Sequence, residues 1–208
     1  ARSGHIGLPV PGVEVKLGES NALLIRGPNV MMGYWNNPAA TAAIISSDGW
    51  LNSGDIASID AQGHVTITGR LKEIIVLSTG EKIPPADMEA AILRDPLFEQ
   101  AMLIGEARSY LSVMVVLNTA HWQNVVSQYG LDASLNTDQQ RQQVEEILLD
   151  KITEQTSEFP GYAKIRRVAL IQEPWNVENG LLTPTLKLKR AKVLEKYVRE
   201  VERLYAGH

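Results

Sequence analysis

Gly69-Arg70-Leu71-Lys72-Glu73 stands between two runs of β character. Ahead of it, Gly63-His64-Val65-Thr66-Ile67-Thr68 reads as a strand entered through a glycine turn. Behind it, Glu73-Ile74-Ile75-Val76-Leu77 is an apolar run closed by Ser78-Thr79-Gly80. A glycine followed by long charged side chains marks a joint, where the backbone turns and the charges reach outward. The joint divides the chain into a β-rich part, residues 1–70, and an α+β part, residues 71–208.

Upstream, Val13-Glu14-Val15-Lys16-Leu17 alternates apolar with polar, as a half-buried strand does. A second strand, Ala22 to Arg26, ends at Gly27-Pro28. Pro38 opens a short Ala-rich helix to Ile45, and Ser47-Asp48-Gly49 is a turn. Trp50-Leu51-Asn52-Ser53-Gly54-Asp55 leads into the strand Ile56–Ile59, and Asp60–Gly63 turns a hairpin into Val65–Thr68. Short strands at close spacing predict a small antiparallel barrel or sandwich.

Downstream, a strand over 74–77 precedes a helix at Ala86–Arg94, which Asp95-Pro96 ends. Strands follow near Gln100–Ile104 and Ser112–Leu117, then a helix over 119–129 that stops at Gly130. Thr137 with Gln140 forms a capping box for a long helix to about Glu158, with Val144, Ile147, Leu148 and Ile152 on one stripe. Phe159-Pro160-Gly161 breaks it, and Val168–Ile171 is a strand. A last helix spans about 191–205, with Val193, Leu194, Tyr197, Val198, Val201, Leu204 and Tyr205 on one face. Glu195–Arg199 and Lys196–Glu200 are its i,i+4 pairs.

The 208 residues are 44 % hydrophobic and 21 % charged, an ordinary globular composition. A net charge of −4 gives no electrostatic case for nucleic acid. With no cysteine, the chain has no disulfide framework, thiolate metal site or cysteine nucleophile, and it fits a reducing compartment. The four histidines (His5, His64, His121 and His208) lack ligand spacing, so no metal site is expected. No apolar run reaches the roughly 18–20 residues that span a bilayer. The chain opens Ala1-Arg2-Ser3 without Met, as a processed product or a piece of a longer protein would.

Three places carry candidate chemistry. Asp55, just after a glycine at a strand start, suits a ribose diol, though an isolated Ser-Gly-Asp is more often a solvated turn. The Arg70 fork suits phosphate or ribose oxygens, though alone such a residue is more often a surface ion-pair partner. Lys187, Lys189 and Arg190 crowd the end of a Gly/Pro loop just before a helix, where cations are unfavourable, so a local rule is broken there. Ser78-Thr79-Gly80-Glu81-Lys82 lacks the spacing of a nucleotide phosphate loop; it is a hairpin turn, or a place where backbone approaches a ligand.

Gly27-Pro28-Asn29-Val30-Met31-Met32-Gly33-Tyr34, Gly49-Trp50-Leu51-Asn52-Ser53-Gly54-Asp55 and Gly69-Arg70-Leu71-Lys72-Glu73, the last continued through Gly80, Ile83 and Glu89, in this order, resemble motifs of the adenylate-forming ligase superfamily. Leu182-Thr183-Pro184-Thr185-Leu186-Lys187-Leu188-Lys189-Arg190 is most similar to its long-chain fatty acyl-CoA synthetases. Ser53 replaces the usual Thr, Val76 stands where many relatives have Lys, and the common Ser-Gly-Lys ending is absent. The resemblance implies a β-rich subdomain, a distorted barrel, followed by a mobile α+β lid. It implies that Asp55 holds ribose hydroxyls, that Arg70 contacts ribose or phosphate and that Lys72 is the hinge. Gly80 would lie near the pantetheine of coenzyme A, and Lys187 would meet the carboxylate and α-phosphate during adenylation. After adenylation, rotation about Lys72 would withdraw Lys187 and open a thiol channel. It implies ATP and coenzyme A as substrates, with Mg2+ held mainly by upstream residues. The implied reaction is fatty acid:CoA ligation in the cytoplasm, with peripheral membrane contact allowed and the 208 residues inactive alone. Two alternatives stay open: an acyl-AMP ligase serving an acyl-carrier protein, and a non-catalytic partner-binding module.

Overall fold

The computed structural model describes residues 6–131 and 138–206. The chain divides into two compact units, Ala1–Ile74 and Ile75–His208.

The first unit is an antiparallel meander of β1 (Glu14–Leu17), β2 (Ala22–Arg26), β3 (Leu51–Ile59) and β4 (Val65–Arg70), hydrogen-bonded in that order. Ahead of β1 the chain returns to the far edge: Ile6 N donates to Val65 O at 2.8 Å, and Val65 N to Gly7 O at 3.0 Å. The sheet is therefore a curled half-barrel, in which β1 and β4 do not pair with each other. Its core is small: Leu23, Ala57 and Val65, with Val15, Ile25 and Ile59 against them. Helix α1 (Pro38–Ile44) starts where expected, because Asn37 Oδ1 accepts from Ala40 N at 3.0 Å and proline occupies the first turn. The β3–β4 hairpin is built on Asp60. Its carboxylate accepts from the backbone N–H groups of His64 and Gln62, each at 2.9 Å. These donors, the His64 one foremost, hold the Asp60 carboxyl below its usual range.

Leu71–Glu73 form a single 3-10 turn just before the second unit. That unit opens with a two-stranded hairpin, β5 (Ile75–Val76) and β6 (Lys82–Ile83), shorter than the strand expected over 74–77. Helix α2 (Pro85–Ile92) follows, then β7 (Phe98–Ile104) and β8 (Leu111–Leu117). After α3 (Thr119–Tyr129) and α4 (Asp138–Gln155) comes β9 (Ile165–Ile171). The sheet order is β7-β8-β9, with β7 antiparallel and β9 parallel to β8. Gly130 ends α3 at φ +61°, a left-handed cap that costs glycine nothing. The expected capping box falls on Thr137, outside the described residues.

As the central strand, β8 is buried on both faces, which is why its sequence is a nearly unbroken apolar run. Successive residues alternate between two cores. Leu103, Leu111, Val113 and Val115 face one that includes Met88 and Ile92 of α2 and Val144, Leu148 and Ile152 of α4. Met102, Met114 and Val116 face the other, with Val193, Val201, Leu204 and Tyr205.

The expected single helix over 191–205 is two: α5 (Arg190–Lys196) and α6 (Val198–Tyr205). They part at Tyr197, which leaves the helical region at φ −107° and ψ 31°. One helical hydrogen bond ends at the kink, Tyr197 N to Val193 O, and the next starts from it, Val201 N to Tyr197 O, both 3.0 Å. The apolar periodicity therefore persists in the sequence while the axis changes. Two tyrosines seat α6: Tyr110 Oη donates to Leu204 O at 2.7 Å and Tyr205 Oη to Ile104 O at 3.0 Å. Burial raises the Tyr205 hydroxyl above its usual range. The expected Lys196–Glu200 pairing gives way to a tertiary bond, in which Lys196 Nζ donates to Glu173 Oε2 at 2.6 Å.

Candidate functional site

Asp55 and Arg70 are brought together by strand register. They face each other across β3 and β4, and Arg70 Nε lies 2.9 Å from Asp55 Oδ1. The Asp55 side chain is 23 % exposed and that of Arg70 55 %, so the pair itself adds little stability and both groups remain within reach of a ligand. The local backbone explains why Asp55 points where it does. Leu24 pairs with Asn52 and Ala22 with Ile56, so Ser53, Gly54 and Asp55 all stand opposite the single Leu23. This is a bulge, a device that bends the strand and re-aims a side chain. Gly54 takes φ +77°, Asn52 Oδ1 accepts its N–H at 2.9 Å, and Ser53 Oγ accepts the Asp55 N–H at 3.1 Å.

Trp50, immediately ahead of the bulge, is clamped. Lys16 Nζ sits 4.1 Å and the Arg26 guanidinium 4.5 Å from its ring centroid. Arg26 in turn forms a two-pronged pair with Glu14, at 2.9 and 2.8 Å. Sequence reading missed this clamp. The signal was available in the hairpin register, which sets Glu14 opposite Arg26.

Lys72 lies exposed in the 3-10 turn at Leu71–Glu73. Gly80 lies at φ +95° in the turn between β5 and β6, and its N–H donates to Leu77 O at 2.9 Å. A Cβ there would meet nothing within 4 Å, so the surface at this turn is open. The hairpin is held against the loop after β7. Val76 N donates to Glu106 Oε2 at 2.9 Å, and Ser78 N to Arg108 O at 2.9 Å.

Lys187 is carried on a tight loop. Leu182 bridges Leu188, Thr183 N donates to Lys187 O at 2.8 Å, and Lys187 N donates to Thr183 Oγ1 at 3.0 Å. The Lys187 side chain is exposed, and its ammonium has no ion-pair partner among the described residues. The three basic residues at this loop do not act as one patch. Arg190 is committed: Nη1 donates to Glu89 Oε1 at 2.7 Å and Nη2 to Leu103 O at 2.6 Å. The broken rule at the start of α5 thus has a local answer, a carboxylate placed beside the cation. A cation in that position calls for such a partner, and this was the signal that could have paired Arg190 with a carboxylate; the sequence shows Glu89 only as part of the hinge motif.

Chemically, the first unit offers a partly exposed carboxylate–guanidinium pair on a bulge. The second offers an uncommitted ammonium on a braced loop. Among the described residues no group of three His, Asp or Glu side chains could hold a metal ion, and no helix is long and apolar enough to cross a membrane.

Comparison with known proteins gives concordant matches. Residues 72–208 match the family model of the AMP-binding enzyme C-terminal domain. The chain is 34 % identical to a putative fatty-acid–CoA ligase, fadD11, of Mycobacterium tuberculosis, over 99 % of this chain and 36 % of that protein. It is 30 % identical to a chloroplastic long-chain-fatty-acid–[acyl-carrier-protein] ligase, AEE15, of Arabidopsis thaliana, over 98 % of this chain and 29 % of that protein. Among solved structures it superposes on the A domain of a carboxylic acid reductase from Segniliparus rugosus, in complex with AMP and a co-purified carboxylic acid. There the TM-score is 0.74 at 26 % identity, over 96 % of this chain and 32 % of that one. The chain thus spans about a third of the length of the proteins it matches. With a family model matched over well more than half of its residues and an α+β fold shared with an adenylation domain, the chain belongs to the AMP-binding, adenylate-forming enzymes and carries their C-terminal domain.

Proposed function

We propose that the chain is the carboxyl-terminal part of an ATP-dependent long-chain fatty acid:CoA ligase, which joins a carboxylate to AMP and then passes the acyl group to the thiol of coenzyme A. The observation that carries this reading is Lys187: an ammonium with no internal partner, on a loop whose backbone is tied across its base. Similarity to fatty-acid–CoA ligases supports the substrate class.

Adenylation brings two anions together, the fatty carboxylate and the α-phosphate. A fixed ammonium offsets their repulsion as negative charge builds in the transition state. That is the role of Lys187. Asp55 accepts hydrogen bonds from the two ribose hydroxyls, and Arg70, ion-paired to it, donates to ribose or phosphate oxygens. Gly80, with an open surface over its turn, lets a narrow pantetheine chain pass close to backbone. Lys72 is the hinge whose dihedrals absorb the switch between the two half-reactions. The division of the chain into compact units between Ile74 and Ile75 supports that assignment. The Mg2+ that accompanies ATP finds no ligand cluster among the described residues. The ATP-rich, reducing cytoplasm suits the reaction and the absence of cysteine.

In the full-length protein, Lys187→Ala lowers fatty-acid-dependent ATP–pyrophosphate exchange by about a hundredfold or more. It leaves thioester formation from supplied acyl-adenylate nearly intact. Equal loss of both half-reactions refutes the role. A second reading, an acyl-carrier protein as acceptor, draws support from the likeness to the Arabidopsis ligase. Offering coenzyme A and holo-carrier protein to the same acyl-adenylate separates the two.

A further inference from the structure

Arg190 and Glu89 are 101 residues apart in sequence, yet they close a small polar ring around Leu103. Glu89 Oε1 accepts from Leu103 N at 2.7 Å and from Arg190 Nη1 at 2.7 Å, while Arg190 Nη2 donates to Leu103 O at 2.6 Å. Leu103 lies on β7, an edge strand of the three-stranded sheet. Its backbone N–H and C=O are thus satisfied by two side chains, as a neighbouring strand would satisfy them. Glu89 comes from α2 and Arg190 from the first residue of α5, and the two helices contribute to opposite cores of the sheet. The side chains are 16 % and 19 % exposed, so neither charge is well hydrated without the other.

We infer that the Glu89–Arg190 pair is the positioning device for Lys187. Arg190 is three residues past Lys187. At its amino side the loop is tied by the Leu182–Leu188 bridge and by Lys189 N donating to Leu181 O at 2.9 Å. At its carboxyl side it runs directly into α5, whose first residue is pinned to the edge of β7. α5 is only seven residues long, has no side-chain cap and begins with a cation, so it has little intrinsic reason to hold its first turn. The pin supplies that reason, and fixes where the Lys187 loop stands relative to the edge of β7. This inference rests on the assignment of Lys187 to adenylation.

The test places Arg190→Met, Glu89→Gln and Lys187→Ala separately in the full-length protein. Thermal midpoint, ATP–pyrophosphate exchange and capture of supplied acyl-adenylate by coenzyme A are read for each. Arg190→Met is expected to lower the kcat of exchange by about ten- to a hundredfold, with KM for ATP and thioester formation moving less than about threefold. Glu89→Gln, which still accepts from the Leu103 N–H, is expected to lose less. A folded Arg190→Met protein with unchanged exchange overturns the inference, and so does a fall of both half-reactions in step with the folded fraction. If Arg190→Met does not fold, the same criteria apply to Glu89→Gln. If Lys187→Ala stops exchange and the folded pin variants do not, only the positioning role fails. If Lys187→Ala leaves exchange intact, the assignment of Lys187 fails and this inference with it.

Discussion

Leu186, next to Lys187, holds φ +61°, a left-handed backbone that costs a side-chain-bearing residue about 1 kcal/mol. Its side chain is 72 % exposed, so packing does not compensate. Leu186→Val, with a branched Cβ in the same conformation, is expected to lower stability by about 1–2 kcal/mol. Leu186→Gly is expected to leave it within about 0.5 kcal/mol, strain relief offsetting the greater freedom of the unfolded chain. Urea unfolding of the two variants checks the pair, and equal losses contradict the strain. Asp55 and Arg70 teach a different lesson. Each residue type suggested its chemistry, but their pairing depends on the β3–β4 register and on a three-residue bulge. No local pattern in Ser53-Gly54-Asp55 states which residue of another strand it will oppose.

The β5–β6 hairpin sits where the chain offers no room. A Cβ on Gly105 would lie 2.7 Å from Leu111 Cδ2 and 3.1 Å from Ile75 Cγ2 and Leu77 Cδ2. All three side chains are buried. Gly105→Ala is therefore expected to destabilise by about 1–3 kcal/mol through overpacking. Amide exchange is expected to rise first at residues 75–83, and unchanged protection there contradicts the packing account. The 3-10 turn at Leu71–Glu73 is the element assigned to the hinge. Proline at position 72 fixes φ there and disfavours the helical region at Leu71. Lys72→Pro is expected to slow steady-state turnover by about tenfold or more while each half-reaction, measured alone in single turnover, changes less. A uniform loss points instead to a local folding defect. Helix α3 was legible because Asn118 caps it, with Oδ1 accepting from Ala120 and His121 N–H, and Gly130 stops it. The division of the last helix was not, since the apolar stripe of the sequence continues through Tyr197 although the backbone there leaves the helical region.

Taken whole, the candidate site consists of the Asp55–Arg70 pair in the first unit and the Lys187 ammonium in the second. Neither amounts to an adenylating site alone. The chain spans about a third of its relatives, whose remaining length lies outside the match. The 208 residues alone are expected to give no detectable acyl-CoA from oleate, ATP and coenzyme A. Product formation above a Lys187→Ala control contradicts the reading of the chain as a part.

Strand alternation, glycine and proline punctuation and the order of three motifs sufficed to establish the α+β class, most element positions and the family, because each of these is written within a few neighbouring residues. The side-chain arrangement of the candidate site depended on distant parts of the chain. The Asp55–Arg70 pair needed a register, the Trp50 clamp needed two strands beside it, and the Arg190 pin needed a carboxylate 101 residues away. The physical reason is the reach of the forces. Backbone propensity acts over one turn or one pleat, whereas a buried charge finds whatever partner the packed core brings within about 3 Å of it.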